Sequence, residues 1–301
     1  MFGNYFLQVY NLIMPKITVL MSTYNDGARL YLSIGSILSQ SFTDFEFLIV
    51  DDCSAQETRS ILASFQKKDS RIRVIENNEN IGFCRSLNKG VELSQGKYIA
   101  RMDADDCSLP SRLEVENNFL DSHPGISFCG SDFGFFDDEG VWGTSALITC
   151  PTRQQVCLSN RFSHPTILLR KEDLVSVHGY TVFPKKIRVS EDYDLWCKLY
   201  LHNLCGYNIQ EILLLYRDDF DSAKRRKFKY QILLVKLKKQ WCKEFGVSKA
   251  LFVRHALLSL LPFLLPKRLY IRLRKKKYKK RTDSAVIRSL DVALEAQKER
   301  S

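Results

Sequence analysis

The sequence lacks the features that mark a secreted or disulfide-stabilised chain. Its nine cysteines are an odd number and include no C-x-x-C pair, which argues against a disulfide framework or a zinc site. We therefore expect reduced thiols and a cytosolic compartment. The apolar stretch 2–13 has no basic region before it and no small-residue cleavage site, so we expect no signal peptide. Met14, directly before the first expected strand, is a second candidate beside Met1 for the start of the chain.

The sequence also lacks a run of about 20 apolar residues, so we expect no segment to cross a bilayer alone. Its 301 residues, 45% hydrophobic and 26% charged, suit one large α/β domain with a smaller appendage. The net charge of +11 is unevenly spread. Residues 224–281 hold 21 Lys or Arg and one acid, whereas residues 1–223 hold 21 bases and 29 acids. A mildly acidic body is therefore followed by a strongly basic tail.

Strands and helices alternate along the first hundred residues. Hydrophobic periodicity predicts strands at 16–21, 45–50, 73–76 and 98–102, with helices at 30–38, 57–67 and 82–93 between them. This alternation predicts βαβ units and a parallel sheet covered by helices on both faces. From Ser127 onward, short strand-like pieces such as 127–129 and 166–170 mix with loops and a helix near Glu191, which indicates an α+β half.

Polar clusters follow three of these strands at their carboxyl ends. The clusters are Thr23-Tyr24-Asn25, Asp51-Asp52 and Asp103-Ala104-Asp105-Asp106. In open α/β sheets, ligands bind in the crevice beyond the carboxyl ends of the strands. We therefore expect the three clusters to converge on one ligand site.

Asp103 and Asp105 are spaced so that both carboxylates can face one cation. Mg²⁺ and Mn²⁺ prefer oxygen ligands and commonly keep positions open for substrate phosphates. An acidic turn without a ligand is the alternative. The position at the end of the fourth strand favours the metal, which would stabilise a leaving diphosphate.

Two further loops offer groups for a nucleotide. The carboxylate of Asp52 can accept a hydrogen bond from the N3–H of a pyrimidine, although Ser54 in the same stretch is also a candidate N-cap for the next helix. Gly82, after Asn80, allows close approach of the backbone to a phosphate, and Arg85 can pair with it. A loop followed by a capped helix explains the second pattern equally well.

The second half of the chain offers candidates for the acceptor side. Glu191-Asp192 opens a helix, where the helix dipole alone favours acids. The functional interpretation is a general base that deprotonates the attacking hydroxyl. His164, before an apolar strand, and Trp196, on the helix that starts at Glu191, are candidate acceptor contacts. A lone histidine is more often structural.

Taken in order, these residues resemble glycosyltransferase family 2 over about 16–217. The similarity also includes Asn88, Gly90, the stretch 96–100, Pro110, Arg112-Leu113, His164-Pro165-Thr166 and the stretch 191–196. The resemblance implies a GT-A fold over 14–222, with a nucleotide-sugar half at 16–125, an acceptor half at 126–222 and a basic helical region at 223–301. It further implies a nucleotide-sugar donor, with a UDP-sugar favoured, and inversion at the anomeric carbon.

The resemblance also implies a role for each matching residue. Thr23, Tyr24, Asn25, Asn80, Gly82 and Arg85 would contact the donor, and Asp52 its base. Asp103 would lie near ribose and diphosphate, and Asp105 with Asp103 would hold Mn²⁺ or Mg²⁺. Asp192 would be the catalytic base, with Glu191 as the fallback. The similarity is to bacterial enzymes that build exopolysaccharide, capsule or O-antigen units on a lipid carrier.

The sequence departs from the family pattern at some points. Cys53 stands where the family usually has glycine, and no Q-x-x-R-W signature or transmembrane bundle occurs. These absences argue against a processive synthase and for transfer of a single sugar. Two alternatives are a sugar-phosphate nucleotidyltransferase, disfavoured because 22–27 is not a G-x-G-x-R loop, and a catalytically inactive GT-A scaffold.

The basic tail predicts contact with an anionic membrane surface through 251–281. An apolar group would enter the interface, namely Leu257, Leu258, Leu260, Leu261, Phe263 and Leu264, while 272–281 meets the headgroups. The enzyme would then be peripheral on the inner face of the plasma membrane. A helical face packed on the body is the alternative. Nucleic-acid binding is disfavoured because the run has few aromatics beyond Tyr270 and Tyr278.

Overall fold

The computed structural model describes residues 14–183, 190–219 and 228–300. The expectations about the stretch 2–13, the start at Met1 and the boundary between 222 and 223 lie outside the described residues. The side chain of Leu264, a predicted lipid contact, is also outside the described part of the chain.

The first half alternates between strands and helices as predicted. The strands are β1 (Ile17–Thr23), β2 (Phe45–Asp51), β3 (Ile72–Glu76) and β4 (Tyr98–Met102), and the helices between them are α1 (Arg29–Leu38), α2 (Gln56–Lys68) and α3 (Phe83–Leu93). Every residue of β1, β2 and β4 is buried. Strands buried on both faces give continuous apolar runs in the sequence, which is why the sequence located them well.

The second half is mixed. It consists of β5 (Cys107–Ser108), α4 (Arg112–Ser122), β6 (Phe128–Asp137), β7 (Gly140–Thr144), α5 (Arg153–Leu158), a 3₁₀ turn (His164–Thr166), β8 (Leu168–Arg170), α6 (Lys171–Ser176), α7 (Glu191–Leu201) and β9 (Gly206–Arg217). The expected strand at 127–129 is the start of the much longer β6. The sequence missed this length because Gly130, Asp132 and Gly134 interrupt the apolar pattern.

One nine-stranded sheet joins the two halves in the order β3-β2-β1-β4-β8-β6-β9-β5, with β7 paired to β6. The strands β3, β2, β1 and β4 are parallel, and β8 is antiparallel to β4. Thr23 pairs with Asp51, and Asp51 pairs with Glu76. The carboxyl ends of β1, β2 and β3 therefore meet at one edge, and β4 ends beside them, which confirms the predicted convergence of the polar clusters.

The basic tail is helical and partly integrated into the body. Its elements are α8 (Phe228–Glu244), α9 (Lys249–Leu260), a 3₁₀ turn (Leu261–Leu264), α10 (Lys267–Arg281) and α11 (Ser284–Arg300). In α8, Trp241 is buried, and its indole N–H donates to Asp194 Oδ1 at 3.0 Å. In α11, Leu294 is fully buried, and Asp291 Oδ1 accepts from Val141 N at 2.6 Å.

The charges of α10 divide between the body and solvent. Arg274 pairs with Asp218 at 2.5 Å, and Lys275 pairs with Asp137. The expectation that the whole stretch 272–281 meets lipid headgroups is therefore wrong for these two residues, because carboxylates of the body already neutralise them. Arg272 and Lys276 are exposed.

The apolar part of the tail includes exposed leucines. Leu257, Leu258 and Leu261 are between 50% and 61% exposed. Within the described part of the chain, no single helix is long and apolar enough to span a bilayer. Taken together, the stretches 249–263 and 268–276 have the length and apolar composition of a membrane span, but they are bent by 112° relative to each other.

Candidate active site

The loop after β1 is fixed to the loop after β2. Thr23 is buried, and its hydroxyl donates to Asp26 Oδ2 at 2.7 Å. Asn25, with a left-handed φ of 59°, accepts from Ala55 N at 2.7 Å through its side-chain oxygen. Ala55 is the residue that precedes α2, so the N-cap interpretation of Ser54 is wrong: its hydroxyl accepts from Asn25 N at 3.0 Å instead. Tyr24, 51% exposed, lies on the rim.

Asp52 is buried at the centre of this edge and organises the next loop. Its Oδ1 accepts from Ile81 N at 2.8 Å and from Asn77 Nδ2 at 3.0 Å, and its Oδ2 accepts from Gly82 N at 2.8 Å. A carboxylate offers roughly four acceptor positions, so Oδ2 retains room for one more donor. Asp52 therefore has a structural role and can still receive a ligand N–H.

The loop after β3 depends on a glycine and on an asparagine that the sequence analysis missed. Gly82 has a φ of 93°, a conformation that favours glycine, and a Cβ there would meet no heavy atom within 4 Å. Asn77 is buried and also bonds Ser86 and Lys89. Its place directly after β3 was the available signal. Asn80 is half-buried in this loop, and Arg85 is exposed on α3.

Arg101 lies beneath the acidic loop and was also missed. Its guanidinium is 3% exposed, pairs with Asp103 and lies over the ring of Phe83 at 5.1 Å. Nε and Nη1 are buried without a hydrogen-bond partner among the described residues. A basic residue inside the buried strand β4 was the signal that could have identified it, because buried arginines are almost always paired.

The acidic loop contains two kinds of carboxylate. Asp106 is fully buried, and its Oδ1 accepts from Arg217 N at 2.8 Å. Burial, with Asp103 and Asp105 nearby, raises the pKa of Asp106. Asp105 is partly exposed and lies 3.7 Å from Arg29 Nη1. Asp106 therefore ties the loop to β9, while Asp103 and Asp105 remain nearer to solvent.

Glu191 and Asp192 begin α7 close enough to this loop for their charges to interact with Asp103. Burial and the neighbouring Asp192 raise the pKa of Glu191 to about 7. Burial also raises the pKa of Asp192, which accepts from Asn160 Nδ2 at 2.5 Å. Both carboxyl groups thus have raised pKa values, and Glu191 can take up a proton near neutral pH.

The two predicted acceptor contacts are buried. His164 Nε2 lies 2.9 Å from the hydroxyl of Tyr180, and burial together with Arg101 lowers the pKa of His164. Trp196 is fully buried and stacks on Phe128 at 4.9 Å. The acceptor role predicted for Trp196 is therefore wrong, because its ring is part of the core. The sequence could not distinguish a core tryptophan from a surface one on this helix.

Comparison with known proteins agrees with this geometry. The family model for Glycosyl transferase family 2 matches residues 18–183, more than half of the chain. The chain belongs to glycosyl transferase family 2. It is 37% identical to the putative glycosyltransferase EpsE of Bacillus subtilis, over 72% of this chain and 78% of that protein. It is 31% identical to the uncharacterized glycosyltransferase MJ1057 of Methanocaldococcus jannaschii, over 79% and 86%.

Solved structures show the same fold. The chain is similar to S. aureus TarS 1–349 in complex with UDP-GlcNAc, with a TM-score of 0.63, 20% identity, and coverage of 78% of this chain and 67% of that one. It is also similar to the mannosyltransferase PcManGT of Pyrobaculum calidifontis in complex with GDP-Man and Mn²⁺, with a TM-score of 0.53, 13% identity and coverage of 95% and 87%. The mixed α/β sheet of this family 2 chain is thus GT-A-like.

The acidic loop of this family 2 enzyme suits a divalent cation only in part. Carboxylate oxygens are the hard ligands that Mg²⁺ and Mn²⁺ prefer. The charges of Asp103, Asp105 and Asp106 interact with one another, so together they create a negative potential that attracts a cation. Yet within 14–183, 190–219 and 228–300 no group of three or more His, Cys, Asp or Glu residues is arranged to hold a metal. A cation bound by Asp103 and Asp105 would take its other ligands from the donor's phosphates.

The structural role of Asp52 can be tested by stability. We expect Asp52→Asn to lower the free energy of unfolding by about 2 kcal/mol, because the amide NH₂ would face a backbone N–H that loses its charged acceptor. Urea denaturation of both proteins measures this difference. Glu172→Gln, the same change at an exposed position of α6, is the control. Equal stability of Asp52→Asn and wild type would show that Asp52 does not hold this loop.

Proposed function

We propose that this family 2 enzyme transfers a single sugar, with inversion, from a nucleotide-sugar to a hydroxyl of a glycan or lipid-linked acceptor in bacterial surface polysaccharide synthesis. The observation that carries the proposal is the convergence of the Asp52 loop, the Asp103–Asp106 loop and the Glu191-Asp192 pair at one edge of the sheet. Relatives named for teichuronic acid, amylovoran and O-antigen biosynthesis support the polysaccharide assignment.

The donor proposed is a UDP-sugar. The remaining acceptor position on Asp52 Oδ2 suits the N3–H of uracil. The hydrogen bonds from Gly82 N to Oδ2 and from Ile81 N to Oδ1 fix the carboxylate in place. The structures of TarS with UDP-GlcNAc and with UDP support this choice. Thr23, Tyr24, Asn25, Asn80 and Arg85 surround the same edge and are proposed to complete the donor site.

Mn²⁺ or Mg²⁺ is proposed to bind at Asp105 and Asp103, and PcManGT with Mn²⁺ supports it. When bound, it supplies positive charge to the diphosphate that leaves. The chain itself adds two guanidinium groups beside these acids. Arg101 holds Asp103 from below, and Arg29 lies 3.7 Å from Asp105. These pairs orient the two carboxylates before the donor arrives, so little reorganisation is needed on binding.

Nucleotide recognition and metal dependence are tested together by calorimetry with a panel of nucleotide-sugars and nucleoside diphosphates, with and without Mn²⁺. We expect UDP or one UDP-sugar to bind at least tenfold more tightly with Mn²⁺, because the metal neutralises the diphosphate. We expect Asp105→Ala to lose that gain. Glu172→Ala, at an exposed carboxylate of α6, is the control. Absence of binding by every nucleotide would favour the inactive scaffold.

The base is proposed to be Asp192, with Glu191 as the fallback. Asn160 orients the Asp192 carboxylate, which then takes the proton of the acceptor hydroxyl as its oxygen attacks the anomeric carbon. Burial and the neighbouring Asp192 raise the pKa of Glu191 to about 7, which keeps Glu191 as a second candidate for the base. Only one of the two carboxylates needs to receive the proton. The negative charge of the other then raises the pKa of the carboxylate that acts as the base.

Kinetics of Asp192→Asn and Glu191→Gln separate these roles. We expect Asp192→Asn to lower kcat by about 10²–10⁴-fold and Glu191→Gln to lower it less. Because the base must be deprotonated and the pKa values of both groups are raised, wild-type kcat/KM should fall as the pH drops, with the fall beginning near pH 7 if Glu191 is the base. The reverse order of the two variants would assign the base to Glu191. Near wild-type turnover in both would contradict the assignment.

The enzyme is proposed to act as a peripheral protein on the inner face of the plasma membrane. Leu257, Leu258 and Leu261 form an exposed apolar group on and after α9, and Arg272 and Lys276 are exposed basic residues on α10. Apolar insertion beside basic charge is the combination that binds anionic interfaces.

Co-sedimentation of the full chain with vesicles tests this surface. We expect binding to phosphatidylglycerol vesicles that weakens with salt and exceeds binding to phosphatidylcholine vesicles. The triple change Leu257→Ser, Leu258→Ser and Leu261→Ser should weaken it by about tenfold or more. Val292→Ser, at a position of α11 that is 71% exposed, is the control for an exposed apolar residue elsewhere. Equal binding by the triple variant would contradict the assignment of this surface.

A further inference from the structure

A cavity of about 970 Å³ lies between α10, the hairpin of β6 and β7, and the end of β9. Its volume is at the upper end of the roughly 300–1,000 Å³ typical of small-molecule sites. The region of the chain that matches the family ends at residue 183, so α10, which forms one wall, lies beyond it. The cavity is therefore built partly from the basic tail.

The cavity wall contains many charges but is close to neutral. Five carboxylates line it, namely Asp137, Asp138, Glu139, Asp218 and Asp219. Four of them are paired: Asp137 with Lys275, Asp138 with Arg217 at 2.9 Å, Asp218 with Arg274 at 2.5 Å, and Asp219 with Arg29 at 3.4 Å. Each pair leaves carboxylate oxygens that can accept further hydrogen bonds. Such a wall suits an uncharged ligand with many hydroxyl groups better than a polyanion.

An aromatic side chain with an unused donor completes this wall. Trp142 is 9% exposed, lines the cavity and stacks on Phe135 with ring centroids 4.7 Å apart. Its indole N–H is buried with no hydrogen-bond partner in the described part of the chain. Buried tryptophan N–H groups usually have a partner, and a ligand oxygen in the adjoining cavity would supply one to Trp142.

Two arginines connect the cavity to the acidic loop of the donor site. Arg29 lies within 3.7 Å of Asp105 and within 3.4 Å of Asp219. Arg217 donates through Nε to the backbone oxygen of Asp105 at 3.2 Å and through Nη1 to Asp138. Asp105, a proposed metal ligand, and the cavity wall are therefore one guanidinium group apart.

The mouth of the cavity is apolar along α10. Leu269 lines the cavity and is 43% exposed, and Leu273, one turn further along, is 49% exposed. Leu265, before the helix, is 39% exposed. Residues four apart lie on one face of a helix, so Leu269 and Leu273 form an exposed apolar ridge on α10.

We propose that this cavity binds the saccharide of the acceptor, an uncharged sugar whose apolar chain follows the leucine ridge of α10. The proposal rests on the proposed glycosyltransferase function and names its acceptor class. The sugar hydroxyls bond to the paired carboxylates and to Trp142, next to the arginines that contact Asp105.

The experiment uses the full chain, Mn²⁺, UDP and octyl glycosides of glucose, galactose and N-acetylglucosamine that carry a photoreactive diazirine on the sugar. After irradiation, labelled peptides are mapped by mass spectrometry. We expect at least one glycoside to label peptides that contain Trp142 or 268–275, at least fivefold above an octyl diazirine without sugar. Labelling confined to other peptides, or no labelling that depends on the sugar, would overturn the proposal.

A matched pair of variants adds a second readout. Leu269→Trp places bulk at the cavity mouth and should reduce labelling by the preferred glycoside at least fivefold. Leu201→Trp, at a leucine of α7 that is 38% exposed, should not reduce it. Equal labelling in both variants counts against the cavity. UDP binding to the wild type is measured in parallel: its absence would contradict the proposed function, whereas UDP binding with labels elsewhere would overturn only the cavity.

Discussion

The carboxylates of Asp51, Asp52 and Asp106 are buried where the parallel strands end, and each accepts at least one backbone N–H. The donor to Asp51 is Ser54 of the same loop, whereas Asp52 and Asp106 accept from segments distant in the chain. A buried charge without such partners would cost several kcal/mol. The hydrogen bonds therefore stabilise both the acids and the loops that donate to them. The positions of the loops after β2 and β3, and the junction of the acidic loop with β9, all depend on this arrangement.

The acids of the site thereby divide into two groups with different tasks. Asp51, Asp52 and Asp106 hold backbone, whereas Asp103, Asp105, Glu191 and Asp192 have carboxylates with room for a ligand or a proton. Arg101 interacts with one acid of each group, Asp106 and Asp103, and offsets part of their charge. It also faces His164, whose pKa it helps to lower, so that the imidazole stays neutral beside an already positive group. The electrostatic potential in this part of the site is thus set by buried charged side chains.

The basic tail contributes to the fold as well as to its surface. Trp241 and Leu294 anchor α8 and α11 in the core, and Arg274 and Lys275 attach α10 to the carboxylates of the body. A chain ending before α8 would expose Asp194, whose Oδ1 accepts from Trp241. Packing of the tail on the body and contact of the tail with a membrane are therefore compatible. Some side chains of these helices face the body, and others are exposed and free to meet a membrane.

The sequence by itself determined the buried parallel strands, the helices between them and the edge where their polar ends meet, because local periodicity and strand direction fix these features. It also gave the residues of the acidic loop and of the Glu191-Asp192 pair. Only the tertiary structure decided which of these groups are already occupied, as with Asp52 and Asn25, and which lie in the core, as with Trp196. It alone revealed Arg101, Asn77 and the cavity beside α10. Hydrogen-bond partners and burial arise from segments distant in the chain, and a pattern of neighbouring residues contains no record of them.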